Sequence, residues 1–205
     1  HDLSTPDVVD FEERKAKHHT ALEGVIRSKH LIEAEGIDVE IVSCGFSATW
    51  NITPEFSDEI TDVQVGSYVL MDWPYQQMEG LEDFRCALTV LTTVMSKNQA
   101  KGDRKNVIIT DCGIKSIATE HTADYRVNTF PQVKDLPGAE VIVHSEEHGL
   151  IQLNEEDFQR IQVGDTLELI PPHCCGTCNL HDLFYVVRGD RVEAEWPIEA
   201  RGAAT

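Results

Sequence analysis

Basic residues are scarce in this chain. Lys and Arg number 17 against 36 Asp and Glu, a formal net charge of −19. That deficit argues against nucleic acid as a partner, because binding it needs a cationic surface to neutralise phosphates. It also argues against docking on anionic lipid. Long apolar runs are missing too: no stretch approaches the roughly 20 residues of a helical membrane span. The opening HDLSTPDVVDFEERKAKHH lacks the apolar core of a secretory leader. The chain begins with His1 rather than Met, which reads as a fragment or a processed product. Without a secretory signal, six cysteines favour reduced thiols and a cytoplasmic setting over a disulfide framework.

What is present has two textures. Residues 10–35 predict one amphipathic helix, with Ala21, Leu22, Val25, Leu31, Ile32 and Ala34 near helical spacing and charges between them. His18, His19 and His30 fall on its polar side. Gly36 marks its end, and DVEIVSC follows as a β-branched strand. A helix feeding a strand is an α/β unit. The strand runs into SCGFSATW, residues 43–50, a small-residue turn that can offer backbone N–H groups to an anion. An ordinary strand-to-loop turn is the alternative. After residue 60 the segments TDVQVGSYVLMD, CALTVLTTVMS, NVIITDCG, AEVIVHSEEHGLIQL, DTLELIPPH and DLFYVVRGDRVEAEWPI all read as strands. The expected fold is therefore a short α/β piece over residues 1–60 followed by a mostly β domain over 61–205. One helix and one strand do not complete an α/β layer, and a (β/α)₈ barrel needs about 200 residues or more.

Residues 171–182, PPHCCGTCNLHD, concentrate three of the six cysteines with two histidines and an aspartate. On an extended backbone His173 and Cys175 share one side, and Cys174 points the other way. An imidazole and a thiolate suit Zn²⁺, and two protein ligands leave positions open, as a catalytic site requires. Three other outcomes use the same letters. Cys175-Gly-Thr-Cys178 is a CxxC, but the thioredoxin-like context of a redox pair is not visible. A structural zinc site needs a second ligand pair. A packed, sulfur-rich corner needs nothing further.

Several motifs in order resemble the C-terminal part of the D-serine dehydratase/D-threonine aldolase family. Pro171, His173, Cys175, Thr177, Asn179, Leu180 and Asp182 fall on a tail motif similar to P-x-H-x-C/D-x-T-x-N-L-x-D, and WPIEARG resembles the family's W-P-x-x-A-R-G ending. GSYVLMDWPY, TVMS, TDCGIKS and SEEHG are similar to family signatures in the right order, and SCGFSATW resembles its G-G-x-T-G-T phosphate loop. His1 resembles the histidine of a G-Y-E-G-H segment before the last barrel units. The resemblance implies a pyridoxal-phosphate (PLP) lyase of alanine-racemase-like fold. The first 60 residues would be the last helix and strand of the PLP-binding TIM-like barrel.

The resemblance also implies residue roles. Gly45, Ser47 and Thr49 fall on the PLP phosphate loop, with Phe46 and Ala48 replacing residues that are usually smaller or different. His173 and Cys175 fall on the metal ligands. A thiolate in the second position leans toward Zn²⁺ and the dehydratase branch, and a carboxylate there goes with Mn²⁺ or Mg²⁺ and the aldolases. The implied substrate is a small D-β-hydroxy amino acid, converted by loss of water to a 2-oxo acid and ammonia. The alternatives are retro-aldol cleavage of D-threonine or 3-hydroxy-D-aspartate to glycine and an aldehyde, a racemase, or a non-catalytic zinc-binding β domain. Family members are commonly homodimers. None of Lys15, Lys17, Lys29, Lys97, Lys101, Lys105, Lys115 and Lys134 matches the family's cofactor-linking lysine, which lies upstream. The expectation is that the chain alone is inactive. Cys174, Cys178, Trp73 and Trp196 are expected to pack, Lys115 to form an ion pair, and Glu146 and Glu147 to lie in an exposed turn. Tyr68, Asp72 and His148 match family motifs without an assigned role.

Overall fold

The structure, a computed structural model, describes residues 8–98, 105–119 and 130–203. His1 and Lys101 lie outside the described residues. Backbone contacts divide the chain into a unit running to Arg85 and a second one from Cys86 onward.

In the first unit, helix α1 spans Phe11–Ala34. Asp10 starts it: its carboxylate accepts the Glu13 N–H at 2.7 Å, and Glu12 and Glu13 sit where the helix dipole favours negative charge. Its buried stripe is Arg14, His18 and Leu22, which differs from the expected face. Leu31 and Ile32 are 64% and 43% exposed, whereas His18 is fully buried. The reason is that α1 rests through its N-terminal half on residues 47–56. Polar pairing there outranks apolar periodicity. His30 is exposed, as expected, and bonds Glu59. The strand expected over DVEIVSC is short. Only Ser43–Cys44 (β1) pairs, in parallel, with Asp62–Val63 (β2). Residues 47–49 form a 3₁₀ turn, and Thr53–Phe56 a helical turn, α2. GSYVLMD is not a strand: Ser67–Val69 is a 3₁₀ turn, and Trp73–Gln76 (α3) follows. Residues 61–85 thus belong with the first unit.

The second unit is a six-stranded antiparallel sheet. Its strands are β3 (Val90–Asn98), β4 (Val107–Thr110), β5 (Gln132–Val133), β6 (Glu140–His144), β7 (Gly149–Gln152) and β8 (Thr166–Ile170). Their order is β5-β8-β3-β4-β7-β6, and the outer strands β5 and β6 approach one another, so the sheet is nearly closed. Burial alternates along β3, with Val90, Thr92 and Val94 inward and Leu91 and Met95 outward. Val94, Ile108, Ile151, Leu169 and Phe158 meet in one core. Phe158 comes from α4 (Glu155–Arg160), a helix the sequence pattern did not reveal. Its signal is Asn154, whose side chain accepts the Asp157 N–H, ahead of three acidic residues in the first turn.

Two elements follow β8. Cys174–Cys178 forms a single helical turn, α5. Leu183–Arg188 (β9) and Arg191–Pro197 (β10) form a hairpin around Gly189–Asp190. The hairpin leaves Tyr185, Val187 and Val192 exposed. Trp196, expected to pack, is 58% exposed as well. No helix among the described residues is long and apolar enough to cross a membrane.

Candidate functional site

Gly45, Ser47 and Thr49 come together at one turn. Gly45 has φ +79°, in the left-handed region that glycine adopts without strain. A Cβ there would stand 2.5 Å from Thr53 Oγ1. The turn is closed by the Thr49 N–H donating to the Phe46 carbonyl at 2.9 Å and by Thr49 Oγ1 accepting the Phe46 N–H at 3.1 Å. Thr49 is therefore spent internally. Its partner Thr53 donates to the Thr49 carbonyl and meets His18 Nε2 at 2.8 Å. Ser47 Oγ accepts N–H groups of Gly66 and Tyr68 at 3.2 Å each, binding the turn to the GSY segment. The amides of Ser47 and Ala48 are the first two of the 3₁₀ turn. Such leading N–H groups have no acceptor within the helix, so they suit a phosphate oxygen. The Thr49 hydroxyl is turned back onto the Phe46 backbone.

Arg14 sits behind the turn, fully buried. Its Nε donates to the Ala48 carbonyl at 3.0 Å, and the rest of its guanidinium donates to the carbonyls of Val8, Val9 and Glu79. Burial lowers its pKa, against the opposing fields of Glu79, Asp10 and Glu82. Neither Arg14 nor His18 carries a sequence signal. On a helical wheel each resembles a surface residue.

His173 and Cys175 lie in the second unit. His173 is extended, at φ −145° and ψ 113°, and caps α5, so Cys174 and Cys175 are already helical. The expected i, i+2 alignment on a continuous strand does not occur. The pair instead straddles the start of a helix, with His173 as its N-cap and Cys175 inside its first turn. Cys174 is buried and Cys175 exposed, with His173 and Cys178 half-buried. None of the six cysteines forms a disulfide. An imidazole and an accessible thiol are a donor pair suited to Zn²⁺; among the described residues neither belongs to a cluster of three mutually close His, Cys, Asp or Glu donors, the one such cluster being His30, Glu33 and Glu59. The donor chemistry fits a metal held by two protein ligands with open positions.

The motif is braced from two sides. Buried Thr177 donates to the His173 carbonyl at 2.8 Å and accepts the Ala118 N–H at 3.2 Å. His181 Nε2 donates to the Ser116 carbonyl at 2.6 Å. The segment 113–118 in turn presses on SEEHG: the Ile114 and Lys115 amides donate to the carbonyls of Ser145 and Glu146. Lys115 pairs with Glu147 across an exposed turn, as expected. The chain end closes the other side, with Arg201 donating to the Asn179 carbonyl and the Asp182 carboxylate. Beside this bracing, burial pushes the Cys112 thiol up to about 12. Cys112 is therefore expected to resist iodoacetamide at pH 8 in the folded protein while Cys175 is alkylated. Peptide mass mapping checks this, and equal labelling would contradict the burial.

Comparisons with known proteins decide what this assembly is. Residues 87–187 match the serine dehydratase domain family. The 3-hydroxy-D-aspartate aldolase of Paracoccus denitrificans is 33% identical over 94% of this chain and 47% of its own length. The chain belongs to the D-serine dehydratase/D-threonine aldolase family. The D-threo-3-hydroxyaspartate dehydratase of a Delftia species is 24% identical over 96% of the chain and 52% of its own length. Among solved structures, D-threonine aldolase from Filomicrobium marinum superposes with a TM-score of 0.81 at 26% identity, over 98% of this chain and 51% of that one. The chain thus spans about half the length of the relatives it matches, and its family is one of lyases acting on D-amino acids.

Proposed function

We propose that this chain contributes the cofactor-phosphate turn and the metal-ligand pair of a PLP- and metal-dependent lyase that splits a D-β-hydroxy amino acid into glycine and an aldehyde. The observation that carries it is the 33% identity to a curated 3-hydroxy-D-aspartate aldolase across nearly the whole chain, against 24% for the dehydratase. The first unit is then the end of the PLP barrel. When bound, the cofactor supplies an electron sink and the metal a Lewis acid at the β-hydroxyl. The amides of Ser47 and Ala48 hold the phosphate, with Gly45 giving the chain its sharp turn. His173 and Cys175 hold the metal, and Thr177 fixes the backbone from which His173 projects. Dehydration to a 2-oxo acid is the second possibility. Cys175 favours it, because thiolate selects the softer Zn²⁺ over Mn²⁺.

The test uses the complete reading frame, loaded with PLP and either Zn²⁺ or Mn²⁺ and given D-threonine and 3-hydroxy-D-aspartate separately. Glycine release supports the aldolase. Ammonia with 2-oxobutyrate or oxaloacetate transfers the assignment to the dehydratase. Neither product from either substrate removes the lyase assignment. The isolated 205 residues are expected to give no turnover, because no lysine among them matches the cofactor-linking position.

A further inference from the structure

Arg14 is the least expected residue in the first unit. It is a cation with no exposed surface, and its hydrogen bonds go to four neutral carbonyls, those of Val8, Val9, Ala48 and Glu79. Among the described residues no carboxylate touches it. Burying a charge without contact neutralisation is costly. Carboxylates do bear on it from a distance: Asp10, Glu79 and Glu82.

The bond to Ala48 gives the field of Arg14 a direction. Arg14 Nε–H donates to the Ala48 carbonyl at 3.0 Å. The same peptide unit ends in the Thr49 N–H, which donates to the Phe46 carbonyl at 2.9 Å. That peptide unit ends in turn in the Ser47 N–H, the leading amide of the 3₁₀ turn. Three donors and two peptide groups thus run in series from a buried cation to the amide at the mouth of the turn. Hydrogen bonds in series polarise one another when shielded from water. Here Ala48 and Thr49 are fully buried and Ser47 nearly so.

We infer that Arg14 is a positioning residue for the cofactor phosphate, acting through this peptide relay to sharpen the Ser47 N–H as a donor to an anion. The inference rests on the assignment of the turn to the phosphate. The relay predicts an effect confined to the phosphate, whereas a merely structural role would weaken every part of cofactor recognition alike.

The experiment compares PLP with pyridoxal, which lacks the phosphate, by absorbance titration of the complete protein and its variants. Arg14→Gln keeps a donor for Ala48 and removes the charge. It is expected to lower the PLP-to-pyridoxal affinity ratio about fivefold, the size of a helix-terminus charge effect in a partly buried setting, with pyridoxal affinity unchanged. Arg14→Lys keeps the charge and is expected to hold the ratio within about twofold. Should Arg14→Gln fail to fold by circular dichroism, Arg14→Lys still decides, since a fivefold fall there overturns the relay. An unchanged ratio in folded Arg14→Gln, or an equal loss for both ligands, also overturns it. If the unsubstituted protein binds PLP no better than pyridoxal, the turn does not hold the phosphate, and the relay falls with that assignment.

Discussion

Gly113→Ala is expected to destabilise the second unit by about 3 kcal/mol or more, at the upper end of what overpacking costs. A methyl group at residue 113 would collide with the Ser145 carbonyl oxygen and stand 2.6 Å from the carbonyl carbon of Glu146. Both obstacles are backbone, so no rotamer change relieves them. Moving them breaks the bonds from the Ile114 amide to Ser145 at 2.9 Å and from the Lys115 amide to Glu146 at 3.1 Å. The damage would spread to the proposed metal-ligand motif, because residues 116 and 118 hold His181 and Thr177. Urea unfolding followed by circular dichroism reads the loss. Gly24→Ala serves as the control: nothing lies within 4 Å of its new Cβ, and in mid-helix it is expected to stabilise by about 0.5–1 kcal/mol. A Gly113→Ala midpoint equal to that of the parent would mean that the two loops do not press together.

The second large effect belongs to Gly45→Ala. The substitution places an L-residue at φ +79°, which costs about 1–2 kcal/mol by itself. It also sets a methyl group 2.5 Å from Thr53 Oγ1 and 3.2 Å from Thr49 Oγ1. Thr53 has no room to retreat, being buried between the Thr49 carbonyl and His18. The turn must open, and the leading amides lose their common aim. PLP affinity is expected to fall at least tenfold, which corresponds to about 1.4 kcal/mol. Gly66→Ala, with nothing within 4 Å of its new Cβ, is expected to leave PLP binding unchanged. Fluorescence titration with PLP separates the two. Undiminished binding by Gly45→Ala would remove the turn from the cofactor site.

The sequence was most legible where local chemistry decides structure. The capped helix from Asp10, the alternating strand at Val90–Val94 and the hairpin around Gly189 all follow from patterns a few residues long. The proposed metal-ligand pair, His173 and Cys175, was nameable from its letters, though not from its shape. His173 to Cys175 was expected to be extended, but the chain turns helical at Cys174, closed by the Thr177 N–H donating to the His173 carbonyl at 3.2 Å, and single-residue propensities do not announce that turn. The turn at Gly45 was located correctly, while its support was hidden. Arg14 and His18 sit among charged neighbours on a helix and differ from them only in what the rest of the chain places against them. A buried polar contact between residues 34 or 35 positions apart leaves no trace in local periodicity.

The pairing of Val90 with Leu169 has a consequence for how the protein is made. Strand β3 leaves the ribosome long before β8, its neighbour in the sheet, and between them must come β4, β5, β6 and β7. Loop closure over that distance is slow, so the nascent second unit carries an unsatisfied strand edge until synthesis passes Ile170. The helix α1, whose backbone ladder is local, can form as it emerges, although the side-chain bonds of Arg14, His18 and His30 wait for residues made later. Birth order therefore leaves the proposed metal-ligand motif among the last parts to be held in place, because it follows β8, the last strand of the six-stranded sheet to be made.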